Sequence, residues 1–190
     1  VVVNAYVKPI VQKYLSRLSD AMDEKGCSNL LVMQSNGGTI NTAEASAHAV
    51  RTVLSGPAGG IVAATRIGKK AGFSRLITFD MGGTSTDVAL IEREIKTVRN
   101  SEIAGMPLMV PMMDIHTVGA GGGSIARMDA AGSLRVGPQS AGAKPGPVAY
   151  GTGELLTVTD ANIFLGRLPH QTQLAGNVPL HYDRVCQYID

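Results

Sequence analysis

The sequence predicts an α/β fold built on a mixed sheet, and three observations carry that expectation. Helical and strand-like patterns alternate along residues 1–72. The stretch from Leu76 to Ile91, LITFDMGGTSTDVALI, then reads as two strands around a glycine turn, which adds an antiparallel pair. Finally, 44% apolar and 17% charged residues suit a globular core, while 23 glycines assign much of the chain to loops. A length of 190 residues favours one domain with its own core. Within it, 1–72 forms a helix/strand part, 73–136 the hairpin and glycine-loop strands, and 137–190 a Gly/Pro loop with a helical end.

Charge and composition exclude several classes. A net charge of +2 gives no electrostatic case for a nucleic-acid or anionic-membrane partner. No apolar run is long enough to cross a bilayer, and no signal peptide is visible. Cys27 and Cys186 lack metal-type spacing, so reduced thiols of a cytoplasmic protein are preferred over a disulfide. The chain opens on Val1-Val2-Val3 without Met and reads as a segment of something longer.

In order, Val7, Ile10, Val11, Tyr14, Leu15, Leu18 and Met22 form one apolar stripe of a helix that packs into the core. Asn4 is its expected N-cap, Pro9 suggests a start near Lys8, and Gly26 closes it. Leu30 to Met33 is a short buried strand. It leads into Gln34-Ser35-Asn36-Gly37-Gly38, a ligand loop or an ordinary Asn-Gly turn. Asn41 with Glu44 caps a helix over 42–50. Ser55 or Gly56 caps the next, with Pro57 in its first turn; it runs from Ala58 to Ala71 and Gly72 ends it. Paired Gly59 and Gly60 bring a neighbour close, either a ligand or the adjacent sheet.

The hairpin carries the chemistry. Leu76 to Phe79 is apolar and reads as a buried strand, Asp80 ends it, and Gly82 and Gly83 allow a tight reversal. Backbone amides freed of side chains at Gly82 and Gly83 suit a phosphate, with hydroxyls from Thr84 and Ser85. Asp80 can hold a hydrated Mg²⁺, which needs one or two carboxylates plus phosphate oxygens. A plain glycine-turn hairpin with a polar tip accounts for these residues about as well.

Further on, Ile95 to Val98 pairs back toward the hairpin, and residues 105–111 are extended. Asp114 and His116 share a side if their segment is a strand. They could bind a metal or act as acid and base, although a buried hydrogen-bonded pair steadying the next loop is preferred. That loop, Gly119, Gly121, Gly122 and Gly123, can wrap closely around a ligand. Ser124 to Met128 and Ser133 to Val136 form another strand pair about the turn 129–132. Residues 137–153 form a functional or mobile loop in which Lys144 is a solvated lysine. Asp160 caps a helix from Ala161 to Leu165, and a short helix ends the chain. His48, His170 and His181 are read as surface residues.

Taken together, LSGPAGG (54–60), FDMGGTSTDVALI (79–91), DIHTVGAGGGSIA (114–126), LRVGPQSAGAKPGP (134–147) and TVTDANIFLGRL (157–168) resemble the hydantoinase A / 5-oxoprolinase family, which includes acetone carboxylase β-type subunits. The resemblance implies a ribonuclease H-like, actin-like ATPase lobe of a two-lobed protein, with residues 1–190 a single hydantoinase A-type domain fragment. It implies ATP and Mg²⁺ as cofactors and ATP-dependent opening of a cyclic amide, hydantoin or 5-oxoproline, through phosphorylation of the amide oxygen. Asp80 then organises Mg²⁺, Gly82 to Ser85 contact phosphate, and Gly119 to Gly123 line the cleft. Asp87 takes water or metal, while Asp114 and His116 lie toward the substrate. A second, B-type subunit or domain is the implied partner. The family's first phosphate hairpin is missing from this stretch, so the isolated chain is expected to be inactive. The same motifs fit an acetone-type carboxylase subunit or a non-catalytic nucleotide-binding lobe.

Overall fold

The structure is a computed structural model, which describes residues 1–103, 105–169, 171, 173 and 179–189. Backbone contacts divide it into two compact units, Val1–Thr78 with Ala89–His116 and Phe79–Val88 with Thr117–Asp190. The element order is α1 (Val2–Asp23), β1 (Leu31–Met33), β2 (Thr39–Asn41), α2 (Thr42–Ala47), a 3-10 turn (Ala49–Thr52), α3 (Ser55–Lys70), β3 (Arg75–Met81) and β4 (Thr86–Glu92). Short strands follow: β5 (Glu94–Ile95), β6 (Thr97–Val98), β7 (Ser101–Ile103), β8 (Met106–Leu108), β9 (Met112–Met113) and β10 (His116–Val118). The chain continues through β11 (Ser124–Met128), β12 (Leu134–Ser140), a 3-10 turn (Val148–Tyr150), α4 (Val158–Phe164) and α5 (Tyr182–Ile189). The central sheet has the order β10-β4-β3, and β5 pairs with β4.

In the first unit α1 begins at Val2 and runs through Pro9, against the expected start near Lys8. One proline removes a single ladder bond, which a 22-residue helix tolerates. Asn4 does not cap. Its side-chain amide donates to the Ala47 carbonyl (3.2 Å) and accepts from the Val50 N–H (3.0 Å), tying α1 to the turn after α2. Gly26, at φ 75°, ends the helix, and the Cys27 N–H reaches back to the Met22 carbonyl at 2.9 Å. The apolar stripe splits: Leu15 is buried, whereas Ile10 and Tyr14 are 71% and 63% exposed.

Strands β1 and β2 form an antiparallel hairpin, so Gln34 to Gly38 is an ordinary turn closed by Gln34 N–H to Gly38 carbonyl at 2.8 Å. Asn41 caps α2 as expected, accepting from the Glu44 N–H at 2.8 Å. Helix α3 starts at Ser55, earlier than expected, behind Leu54 in the left-handed region. Its close approach lies elsewhere than the sequence suggests. Gly56 and Gly60 face open space and Gly59 has only ordinary contact with Met33, but a Cβ on Gly68 would overlap Leu76. The core joins Ala58 and Ile61 of α3, Ala89 and Ile91 of β4, and Met113 of β9, with Leu76 and Ile115 packed against it. Full burial of a residue such as Ile91 contributes roughly 1.5–3 kcal/mol. Strand β3 is not wholly buried: Leu76 and Thr78 are half-buried, while Ile77 and Phe79 are 72% and 68% exposed. Alternation explains this, since successive side chains of a strand face opposite ways.

The second unit holds β11 and β12 as an antiparallel pair whose turn is organised by Asp129. Its carboxylate accepts from the Ala131 and Ser133 amides and pairs with Arg135 at 2.9 Å. The Ser133 amide and Arg135 together hold this carboxyl below its ordinary value. Residues 137–153 are better packed than their composition suggests. β12 extends to Ser140, and Gly146 through Ala149 are buried, whereas Lys144 is exposed. Val148, Ala149, Ile163 and Val185 form the second core.

Thr157, not Asp160, caps α4, in a reciprocal capping box with Asp160. Asp160 is fully buried. Its carboxylate accepts from Ala149 N–H (2.8 Å), Val148 N–H (3.2 Å), Thr157 N–H (2.8 Å) and the Thr157 hydroxyl (2.8 Å). His48 and His181 are exposed, as expected; His170 lies outside the described residues.

Candidate phosphate site at the hairpin tip

The hairpin tip, residues 79–88, lies in the second unit with the glycine loop. The tip closes on itself through Gly82 N–H to the Ser85 carbonyl at 2.9 Å. The glycine loop then grips one face of it. Gly122 N–H donates to the Gly82 carbonyl (2.9 Å) and Gly123 N–H to the Gly83 carbonyl (2.7 Å). Side chains could not survive this approach: a Cβ on Gly121 would sit 2.7 Å from the Gly82 oxygen, and one on Gly123 2.9 Å from the Gly83 oxygen. The Thr86 hydroxyl donates to the Ala120 carbonyl, and the Thr117 hydroxyl to Asp87 at 2.6 Å.

Planarity turns these bonds into an orientation. In a trans peptide the C=O and the following N–H point in opposite directions, and the peptide bonds of the tip are trans. Because the Gly82 and Gly83 carbonyls point at the glycine loop, the N–H groups of Gly83 and Thr84 point away from it. Two successive amides aimed one way form an anion-binding concavity. Neither N–H, nor that of Ser85, has a partner among the described residues.

Asp80 is exposed on β3, two residues before the tip, and its carboxylate accepts no hydrogen bond from a described residue. Thr84 is exposed and Ser85 half-buried. Asp87, half-buried, already shares one oxygen with Thr117. Asp114 and His116 belong to the first unit, where both side chains are exposed. The buried, hydrogen-bonded pair expected of them is not formed, because Asp114 precedes β10 and only its backbone is tied, N–H to the Lys96 carbonyl at 3.0 Å. Among the described residues no group of three or more His, Cys, Asp or Glu could hold a metal ion. The donor set therefore fits Mg²⁺ arriving with phosphate oxygens, for which one carboxylate suffices, and does not fit an all-protein metal cage.

Sequence reasoning missed the residues behind the glycine loop. The Gly121 N–H donates to Ser124 Oγ at 2.8 Å, and the Gly122 carbonyl accepts from both the Thr159 amide (2.7 Å) and the Thr159 hydroxyl (2.8 Å). A conjunction of TVTD with GAGGGS was visible, but nothing in either stretch signals that they touch.

The hydantoinase/oxoprolinase family model matches residues 1–189, and the chain belongs to that family. It is 47% identical to 5-oxoprolinase 1 of Arabidopsis thaliana over 86% of the chain and 13% of that protein. It is 41% identical to caprolactamase subunit alpha of Pseudomonas jessenii over 95% of the chain and 26% of that protein. The nucleotide-free structure of acetone carboxylase, described for ATP-dependent acetone carboxylation, superposes with a TM-score of 0.79 at 35% identity, over 94% of this chain and 25% of that one. The fold is thus the mixed α/β, actin-like ATPase type. The chain spans between about an eighth and about a quarter of the length of these relatives. No helix among the described residues is long and apolar enough to cross a membrane.

Proposed function

We propose that this chain carries the phosphate-gripping hairpin of an ATP-dependent enzyme that opens a cyclic amide. The observation that carries the reading is the pair of unpartnered N–H groups at Gly83 and Thr84, turned outward beside the exposed carboxylate of Asp80. These two amides take up charge on phosphate oxygens, Thr84 and Ser85 add hydroxyl donors, and Asp80 holds the accompanying Mg²⁺. Positioning and charge neutralisation are the protein's share of phosphoryl transfer. ATP, when bound, would supply the phosphoryl group that activates the amide carbonyl carbon toward water; the ring C–N bond then breaks with the nitrogen leaving as an amine, and ADP and inorganic phosphate are released.

Gly119 to Gly123 enter this reading as the brace behind the tip, since the amides of Gly121, Gly122 and Gly123 already have partners. Asp87 is assigned to water or metal through its second oxygen, and Asp114 and His116 to the substrate. A cyclic amide is favoured over a ketone because the oxoprolinase and caprolactamase relatives are closer in identity than acetone carboxylase. The subunit naming of the caprolactamase supports a second subunit or domain as partner. The cytoplasm, where ATP is abundant, is the compartment the reading requires.

The test is Asp80→Ala in the whole protein, assayed for Mg²⁺-dependent ATP hydrolysis stimulated by 5-oxoproline, hydantoin or caprolactam. The expected outcome is a loss of at least about 100-fold with an unchanged circular dichroism spectrum. Near-normal turnover would remove Asp80 from its role, and stimulation by acetone alone would transfer the site to ketone chemistry.

A further inference from the structure

The bonds behind the tip line up into two continuous peptide relays. In one, the Ser124 N–H donates to the Gly121 carbonyl at 3.0 Å, the Gly122 N–H of that same peptide donates to the Gly82 carbonyl, and the peptide ends in the Gly83 N–H. In the other, Thr159 donates twice to the Gly122 carbonyl, through its N–H (2.7 Å) and its hydroxyl (2.8 Å). That peptide's other end is the Gly123 N–H, which donates to the Gly83 carbonyl at 2.7 Å, whose peptide ends in the Thr84 N–H. Every residue named belongs to the second unit.

We infer that Thr159 is a positioning residue for phosphate binding, acting through Gly122–Gly123 and Gly83–Thr84 to aim and polarise the Thr84 amide. Each carbonyl accepting a hydrogen bond draws electron density toward its oxygen and makes the N–H of the same peptide a better donor. Thr159 heads its relay with two donors; the other relay begins with a single backbone N–H. The Thr159 hydroxyl is a part of this device that substitution can remove; the Ser140 hydroxyl, 3.5 Å from the Gly83 carbonyl, is a second and longer donor at the relay's far end. The Thr159 hydroxyl is also sterically committed, because a Cβ on Gly122 would lie 2.8 Å from Thr159 Oγ1. This inference rests on the proposed phosphate role of the tip.

The experiment measures ATP·Mg²⁺ affinity of the whole protein by titration calorimetry, with KM for the cyclic amide and melting temperature alongside. Thr159→Val removes the hydroxyl at near-constant shape and is expected to weaken ATP about 3- to 10-fold, the equivalent of one net hydrogen bond. Amide KM should barely move, the melting temperature should fall by about a few degrees because this bond is also present in the ATP-free protein, and Thr159→Ser should restore ATP affinity to within about twofold of the original. If Thr159→Val fails to fold, Gly122→Ala takes its place, because its added methyl displaces the hydroxyl without deleting it; the same selective loss for ATP is expected. ATP affinity unchanged in the variant would overturn the relay while leaving the tip's role intact. So would a loss of ATP affinity matched by an equal rise in amide KM, which marks plain structural damage. Absence of ATP binding in the original protein would overturn both readings together.

Discussion

Two aspartates in this chain show how environment decides what a carboxylate does. Asp80 is exposed and accepts no hydrogen bond from a described residue, which leaves its oxygens available to a cation. Asp160 is sealed, with four donors converging on it from two segments of chain. Removing it strands the Val148 and Ala149 amides without solvent, and each buried unsatisfied group costs about 1–3 kcal/mol. Asp160→Ala is therefore expected to destabilise the second unit by about 3 kcal/mol or more, read as a lowered urea midpoint. Asp160→Asn should recover part of this, since one oxygen still accepts. A loss under about 1 kcal/mol for Asp160→Ala would mean that the four bonds are individually replaceable.

At the scale of elements, the glycine loop and the hairpin tip behave as one piece. The fit leaves no room for a methyl at Gly121 or Gly123. A clash against backbone, which cannot rotate away as a side-chain end can, has to be relieved by moving the tip. Gly121→Ala is expected to reduce ATP affinity by about tenfold or more, the scale of disrupting a packed contact by 1–3 kcal/mol. Gly60→Ala is the control, because its Cβ meets open space; it should leave ATP affinity unchanged and favour α3 slightly through helix propensity. Equal ATP affinity in Gly121→Ala and the original protein would show that the loop does not brace the tip.

This is also the scale at which sequence and structure part company. The hairpin, the β11–β12 pair with its turn, the Asn41 cap and the glycine ending α1 were legible, because each rests on local chemistry within five or six residues. The misreadings share a different cause. Asn4 looked like a cap but reaches residues more than forty positions away. Asp160 looked like a cap but serves as a buried acceptor for a distant turn. The glycines of the loop looked like a ligand's cradle, and nothing local reveals that three of their amides are already engaged. Long-range partners cannot be read from spacing, whereas a family resemblance carries them implicitly and without naming the bonds.

For the molecule as a whole, each unit has its own core, and the residues of the hairpin are divided between the two units. Ala89 and Ile91 of β4 are buried in the first core, while the tip between Phe79 and Val88 belongs to the second unit. Within the second unit the tip is tied by hydrogen bonds: Gly122, Gly123 and the Ser140 hydroxyl donate to it, and Thr86 donates from it to the Ala120 carbonyl. Such a division suits a ligand site: the scaffold holds the position while the loop ends keep their polar groups for a partner.

The central claim is that the Gly83 and Thr84 amides face outward to receive phosphate. Backbone hydrogen exchange with residue-level readout, on the whole protein with and without ATP·Mg²⁺, addresses it directly. Exchange at Gly83 and Thr84 should be fast in the free protein and slow by about tenfold or more when ATP·Mg²⁺ binds, while Gly122 and Gly123, already bonded, stay slow throughout. Unchanged exchange at Gly83 and Thr84 in a sample that demonstrably binds ATP would contradict the account.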